Sequence, residues 1–400
     1  MLNDLKVSAF LAVRAIKRGG RAGFVLNILI IAMVFMNMIL LSSIISGSVN
    51  LFYEQTIDYE TSDVIVKPGE DKRVISSADE LVNKINGIPG VRRASPHYSL
   101  GATLSNEDKS ISIPVTAIKP RDETEVTKVS ETVVQGNYLG SGDLDEIIIG
   151  FQVAGNEDER KDFFDSLGGA EVGDTIEVAF ANGVIKDYRI KGIFQTKSWT
   201  VDLTAFVSWD EMNSVLGYDN SEASEILVKS MKGHSPEEVK YSMLTFNVPD
   251  KIQTWEESMT GIIEDSLETF DIINNISLFV SLVIAIVVIF IVMMIKAINN
   301  KKQIAILKAI GIHKNIIVNS YVIQVLLISL IGIILGLIGI EAIIAYFTAH
   351  PMEFPDGNVT PYVETAVLIE NAVMLTAVSC IAGYIPARRI AGENILEAMR

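Results

Sequence analysis

The stretch KKQIAILKAIGIHKN, Lys301 to Asn315, carries four lysines and a histidine and no acidic residue, in a chain with 49 acidic against 33 basic residues. On its two sides lie ISLFVSLVIAIVVIFIVMMI (276–295) and IIVNSYVIQVLLISLIGIILGLIGI (316–340), neither of which holds a charge. A basic patch in a short loop between two apolar runs marks the side of a membrane on which that loop stays. Its reading therefore decides the topology.

Two more apolar runs lie further out. They are FVLNILIIAMVFMNMILLSSIIS (24–46) and TAVLIENAVMLTAVSCIAGYI (365–385), the latter with Glu370 inside it. Each of the four runs reaches the ~20 residues that a helix needs to cross roughly 30 Å of hydrocarbon. The first exceeds the roughly 7–15 residues of a signal-peptide core and no A-x-A site follows, so it reads as an uncleaved anchor. Residues 1–22, 296–315 and 386–400 together hold 13 basic and 3 acidic residues, whereas 48–271 holds 20 basic and 41 acidic. Four spans put both termini on one side, and all three basic segments then fall on the cytoplasmic face.

The expected fold class is a membrane protein, α-helical with four transmembrane helices, plus a large extracytoplasmic α+β domain between spans 1 and 2. The boundaries read as an amphipathic N-terminal helix in 1–23, spans at 24–47, 276–296, 316–340 and 365–385, the extracytoplasmic domain at 48–275, a cytoplasmic segment at 297–315, an outer loop at 341–364 and a cytoplasmic tail at 386–400. This segregation reconciles a mean hydropathy of +0.35 with a pI near 4.8. A single cysteine, Cys380, excludes an intrachain disulfide and a cysteine-based metal site.

Within 48–275, SDVIVKP reads as a strand and SSADELVNKING as a helix with Ser76 or Ser77 as N-cap and Gly87 just past its end. VRRASPHYSLGATLS and KSISIPVTAIKP read as strands paired across NED. ASEILVKS, SPEEVKYSMLTF and PDKIQTW repeat a strand–helix–strand order. Two such halves imply a split α/β domain with an insertion at about 125–218, whose strands DEIIIG, DTIEVAF, KDYRIKGIF and TAFVSW make it mostly β. Trp255, Met259, Ile262, Ile263, Leu267 and Phe270 recur at helical spacing and read as a stalk helix continuous with the second span.

No P-loop, G-x-S-x-G, H-E-x-x-H or kinase signature occurs, so the chain itself is expected to be non-catalytic and to bind no cofactor or metal. Glu341 and Glu370, near the outer ends of the third and fourth spans, are the intramembrane acidic candidates. Asn358 opens N-V-T, the glycan-acceptor pattern.

KKQIAILKAIGIHKNII resembles the coupling segment of MacB/FtsX-type permeases of ABC transporters, and the tail IPARRIAGENILEAMR resembles that family's ending, with Asn394 and Ile395 replacing its proline-containing step. The order of one span, a large outer domain and three spans is similar across nearly the whole chain. INGIPGVRRASPHYS, VTAIKPRDETEV, EIIIGFQVAG, AEVGDTIEV and LTAFVSWDEMNSVLG resemble the lipoprotein-releasing (LolC/LolE-like) branch, and NEDERKDFFDSLGG enlarges one step of that pattern.

The resemblance implies a permease subunit without catalysis of its own. A separate cytoplasmic ABC ATPase dimer, which carries the ATP and Mg, would dock on Gln303, Ile304, Ile306, Leu307, Lys308, Ala309, Ile310 and Gly311. Ile304, Leu307, Lys308 and Gly311 would share one face, and Ile306, Ala309 and Ile310 another. A second permease chain, identical or related, completes the implied dimer. Lipoprotein release or export of an amphiphile is the implied task, worked by mechanotransmission to the outer domain, with a lipoprotein or an extracytoplasmic adaptor as outer partner and no nucleic acid. The alternative is an FtsX-like regulator of a cell-envelope enzyme.

Overall fold

The computed structural model describes residues 2–18, 21–70, 72–156, 164–259, 261–354 and 357–392. The tail motif from residue 393 onward and residues 157–163 of the enlarged step lie outside the described residues, as do the side chains of Ile262, Ile263 and Leu267. Four helices are long and apolar enough to cross a membrane: Phe24–Glu60, Glu268–Asn299, Lys314–Ala349 and Thr365–Gly392. The chain divides into two compact units, a helical one (Met1–Asn50, Asp265–Glu353, Asn358–Arg400) and an α/β one (Leu51–Glu264, Phe354–Gly357).

Two helices come first, α1 (Leu2–Arg18) and α2 (Arg21–Gln55). The α/β unit then begins with β1 (Val64–Lys67), α3 (Ala78–Asn86), β2 (Val91–Asn106), β3 (Lys109–Ile118) and α4 (Pro120–Val126). It continues with β4 (Val133–Gly136), β5 (Glu146–Gly150), α5 (Phe151–Ala154), β6 (Thr175–Phe180), β7 (Ile185–Phe194), α6 (Trp199–Asp202), β8 (Ala205–Ser208) and α7 (Trp209–Leu216). β9 (Glu225–Ser230), α8 (Pro236–Thr245), β10 (Lys251–Thr254) and α9 (Trp255–Ser258) complete it.

The split α/β reading holds: β1-α3-β2 and β9-α8-β10 interleave into one sheet of order β10-β1-β9-β2. α3 and α8 cover one face of it, burying Leu81, Val82, Ile85, Val239 and Met243 with Val64, Val66, Ala94, Ile226 and Val228 of the strands. α8 starts on a capping box, in which Ser235 Oγ accepts from the Glu238 amide and Glu238 answers the Ser235 amide. α3 starts differently from expectation. Ser77 occupies the N-cap in a left-handed conformation and its side chain makes no capping bond. The Ala78 amide instead donates to the Ser221 carbonyl at 2.7 Å, a partner 143 positions along the chain that no local pattern announces.

The inserted part is a closed ring of strands. β2 pairs β3, β3 pairs β8, β8 pairs β5, β5 pairs β7, β7 pairs β6, and β6 returns to β2. Period-two alternation fills the ring: Ile147 and Ile149 point into its core with Leu104, Val115, Val178, Tyr188 and Val207, while Ile148 between them joins a second cluster with Phe194 and Phe206 outside. The insertion begins earlier than residue 125. β2 pairs β9 through His97 and β3 from Tyr98 onward, so one strand serves both sheets. Its sixteen residues run on as one strand through Pro96 and Gly101, which is why the boundary does not appear in the sequence.

α7 closes the ring with Trp209, Met212 and Val215 in its core. Its Glu211 is fully buried and takes hydrogen bonds from Tyr188 Oη (2.7 Å), Lys186 Nζ (2.6 Å) and the Asp145 amide (2.9 Å). Gly150, the last residue of β5, lies against the backbone of α6, and a β-carbon there would stand 2.2 Å from the Asp202 carbonyl oxygen. Since backbone cannot yield as a side-chain tip can, Gly150→Ala is expected to lower stability by about 1–3 kcal/mol. Denaturant unfolding followed by tryptophan fluorescence measures this, and an unchanged midpoint would refute the close approach.

The chain continues with α10 (Gly261–Asn299), α11 (Lys301–Ala309) and α12 (Lys314–Ala349), the short β11 (Met352–Phe354) and β12 (Gly357–Val359), and α13 (Thr365–Gly392). β10 lies within the expected strand PDKIQTW, but the stalk helix expected to include Trp255 and Met259 begins only at Gly261, because residues 255–258 form the separate α9. α13 continues past the expected span end at Ile385, with Pro386 inside it. α12 is the central rod. Its Gly332 and Gly336 lie against Ile31 and Phe35 of α2, so closely that added β-carbons would come within 2.8 and 2.9 Å of those side chains. Small residues four apart allow helix backbones to approach where no hydrophobic drive distinguishes protein from lipid. On another face Val325 fills the space that Gly383 of α13 leaves. The Ser8 hydroxyl of α1 donates to the Ile316 carbonyl at 3.1 Å, and Ser281 of α10 donates to Asn37 of α2 at 3.0 Å.

Candidate functional site

KKQIAILKA consists of good helix formers apart from its isoleucines, and it folds as α11. Asn300 separates it from α10, and its side chain is hydrogen-bonded to the Tyr321 hydroxyl of α12. The far end stops at Gly311, whose φ of +90° is the left-handed conformation that glycine adopts without a β-carbon penalty. There the Ile312 amide donates to the Leu307 carbonyl at 3.1 Å and the Gly311 amide to the Lys308 carbonyl at 3.0 Å. These two bonds make a Schellman closure that satisfies carbonyls a helix end would otherwise leave open. His313 then enters α12 in an extended conformation.

The two faces expected for this helix differ in availability. Ile304 is 5% exposed and Ala305 fully buried; Ile304 belongs to the apolar core of the helical unit, against which Leu307 and Ile312 also pack. The Ile304–Leu307 face thus holds α11 to its own protein and leaves little to offer a partner. Lys308 is half-buried beside it. The opposite face carries Ile306 at 60% and Ile310 at 69% exposure, with exposed Gln303, Ala309 and Gly311 beside them. Lys302, His313 and Lys314 are exposed around that patch. An apolar centre with cationic edges suits a groove with an acidic rim. Sequence spacing alone separated the faces but could not say which one the core would claim.

Glu341 of α12 and Glu370 of α13 both lie exposed on their helices, and among the described residues neither forms an ion pair. The acidic candidates are therefore not brought together with α11. On α1, Ser8 and Ala12 are buried while Leu5, Phe10, Val13 and Arg14 are exposed, with the Arg14 guanidinium 5.6 Å from the Phe10 ring centre. Asn358 is exposed on β12. Among the described residues no group of three or more His, Cys, Asp or Glu side chains is arranged to hold a metal ion.

A polar cluster that sequence reasoning missed lies in the α/β unit. Glu123 of α4 is 2% exposed and accepts from Ser95 Oγ (2.7 Å), His97 Nε2 (2.7 Å) and Thr127 Oγ1 (2.8 Å). The second ring nitrogen of His97 stands 3.7 Å from Glu225. Burial alone would pull the His97 pKa down, but the adjacent Glu123 carboxylate, aided by Glu225, lifts it to about 10. Burial likewise pushes the Glu123 carboxyl up, and His97 with the two hydroxyls outweighs it and holds the group below its ordinary value. Ser95 and His97 sit two apart on one face of β2, a spacing indistinguishable from ordinary strand alternation.

Among curated proteins none matches this chain in sequence. Of solved structures, the extracellular domain of the noncanonic ABC-type transporter YknZ from Gram-positive bacteria is similar at 13% identity, over 48% of this chain and 97% of that one, with a TM-score of 0.35. The periplasmic region of MacB from Actinobacillus actinomycetemcomitans is similar at 14% identity, over 52% of this chain and 94% of that one, with a TM-score of 0.36. The family model for the MacB-like periplasmic core domain matches residues 24–244, and that for the FtsX-like permease C-terminal region matches 275–395. With an α/β domain set between the first and the later of four apolar helices, and both family models matched in that order, the chain belongs to the MacB/FtsX-type permease superfamily.

Proposed function

We infer that this chain is the membrane subunit of an ABC-type complex whose nucleotide cycle runs on a separate cytoplasmic ATPase dimer. The observation that carries the reading is the outward face of α11, where Ile306 and Ile310 are exposed between two spans and ringed by lysines. Both termini and α11 lie in the cytoplasm, following the basic residues, and the α/β unit lies outside the cell membrane. ATP and Mg belong to the partner. A second permease chain pairs with this one, and the spans relay the ATPase stroke to the outer domain, which handles a lipoprotein or another amphiphile without passing it through the bilayer. The segments similar to the lipoprotein-releasing branch support that substrate class.

Docking is tested by affinity capture of the full-length protein from its native membranes, with any bound P-loop ATPase identified by mass spectrometry. Each isoleucine buried in a partner groove contributes roughly 1.5–3 kcal/mol. Ile306→Ser with Ile310→Ser should therefore cut ATPase recovery by about a hundredfold or more. Leu307→Ser should act by loosening α11, seen as faster amide exchange in 301–313. Equal recovery from the double variant and the parent would sink the docking face.

A further inference from the structure

The α/β unit is two folds joined in the middle of a strand, and the joint is built differently from either. β2 leaves β9 at His97 and takes up β3 at Tyr98. A shared strand resists stretching but leaves twist and bend between the two sheets open. The chain also returns from α7 to β9 through residues 217–224, where the Ser224 amide donates to the His97 carbonyl at 2.7 Å, and the Lys128 amide donates to the Asp58 carbonyl at 2.8 Å. A further connection is α4. It follows β3, and so issues from the ring, yet it folds back onto the face of the β10-β1-β9-β2 sheet that α3 and α8 do not cover. Among the described residues, its buried apolar cluster there has three members, Val126 with Ile65 of β1 and Leu227 of β9. So small a contact constrains orientation weakly, since dispersion and apolar burial have little directionality.

Beside that contact sits the polar cluster. Glu123 of α4 receives three hydrogen bonds, two of them from Ser95 and His97 on the half of β2 that belongs to the four-stranded sheet. Ser62 Oγ, just before β1, adds a bond to the Val126 carbonyl at 3.1 Å. At the rim, Arg93 of β2 faces Asp122 and Glu125 of α4, and Lys119 reaches back to Asp79 of α3 at 2.5 Å. Unlike the Val126 contact, these ties between α4 and the sheet are directional.

We propose that the Ser95–His97–Glu123–Thr127 cluster is an angular lock, which makes the split α/β half and the strand ring move as one rigid lever. An ion pair taken out of water contributes little net stability against apolar side chains of the same volume, but it admits only a narrow range of geometries. That trade suits a part whose task is to keep an angle under load. The groups that face His97 are Glu123 from α4 and Glu225 from β9, with the Phe206 ring edge-on at 6.5 Å from β8; Tyr138, after β4, lies near Glu123. The two carboxylates keep His97 protonated throughout the neutral range, so the lock stays closed there. The lock stands independently of the ATPase reading; its value as a lever rests on that reading.

The test uses full-length protein in detergent, Cys380→Ser, with spin labels at Glu237→Cys on α8 and Asp187→Cys on β7, both exposed sites in the two halves. The parent should give one narrow distance. His97→Gln, Glu123→Gln and the doubly apolar His97→Leu/Glu123→Leu should each at least double the width of the distribution. The apolar pair is included because it leaves no buried charge and should fold even if the single variants do not. An unchanged width in the folded variants overturns the lock. A second measurement needs no variant: NMR of ring-labelled histidine should find His97 still cationic at pH 9, and titration near the ordinary 6.5 would overturn it equally.

Discussion

Glu123→Ala is expected to destabilise the α/β unit by about 3–5 kcal/mol, the cost of leaving a buried charge without its partner. His97 is 6% exposed and has little water to turn to. Unfolding of the full-length protein in denaturant, read by tryptophan fluorescence, measures the loss, because Trp199, Trp209 and Trp255 all lie in this unit. A change below about 1 kcal/mol would mean that water reaches His97. The same pair makes stability depend on pH. His97 has its pKa raised from 6.5 to about 10 on folding. Its contribution is therefore complete below 6.5 and drains away as the pH rises toward 10, by at most about 1.4 kcal/mol per unit. Glu123 is shifted the other way, so its contribution persists above the ordinary carboxylate range and is lost as acid protonates it in the folded state. Stability should peak at mildly acidic pH. The neutral double variant His97→Gln/Glu123→Gln should show a flatter decline between 6.5 and 10, and an identical slope would remove His97 as its source.

Gly336→Leu is the second large effect. A β-carbon at this site meets Phe35 Cδ1 at 2.9 Å and the Ala32 carbonyl at 3.1 Å, and Phe35 is fully buried. Neither neighbour can retreat without moving α2. Overpacking of this kind costs about 1–3 kcal/mol at one site, and Gly332→Leu against Ile31 should add a similar amount because both push the same helix pair apart. Gly339 is the milder case, since its neighbour is the Met36 thioether, which can rotate away. Gly392→Ala, with nothing within 4 Å, is the control. Thermal inactivation in detergent should fall in the order Gly336→Leu, Gly339→Leu, Gly392→Ala. If Gly336→Leu matched Gly392→Ala, α2 and α12 would not be in close contact.

The two faces of α11 show how far one-dimensional reading reaches. Ile304, Ile306, Leu307 and Ile310 are chemically alike, and helical spacing assigns them to two faces. Only the packing of Ile304 against the cores of its neighbours makes the Ile306–Ile310 face the outer one. Glu123 is the reverse example. In P-R-D-E-T-E-V it is one of three acids on a seven-residue helix, and no periodicity distinguishes it from Asp122 and Glu125, which stay at the rim.

Four long apolar runs, basic segments between them and two strand–helix–strand passages were determined by the chain alone, because hydrophobic length, charge sign and local periodicity act over neighbouring residues. The closing of the ring through β6 and β2, the capping of α3 by Ser221, the glycine contacts of α12 and the burial of Glu123 beside His97 were decided by the tertiary structure. Each depends on a distance between residues far apart in the chain. A single sequence carries no record of that distance until the backbone brings the groups together.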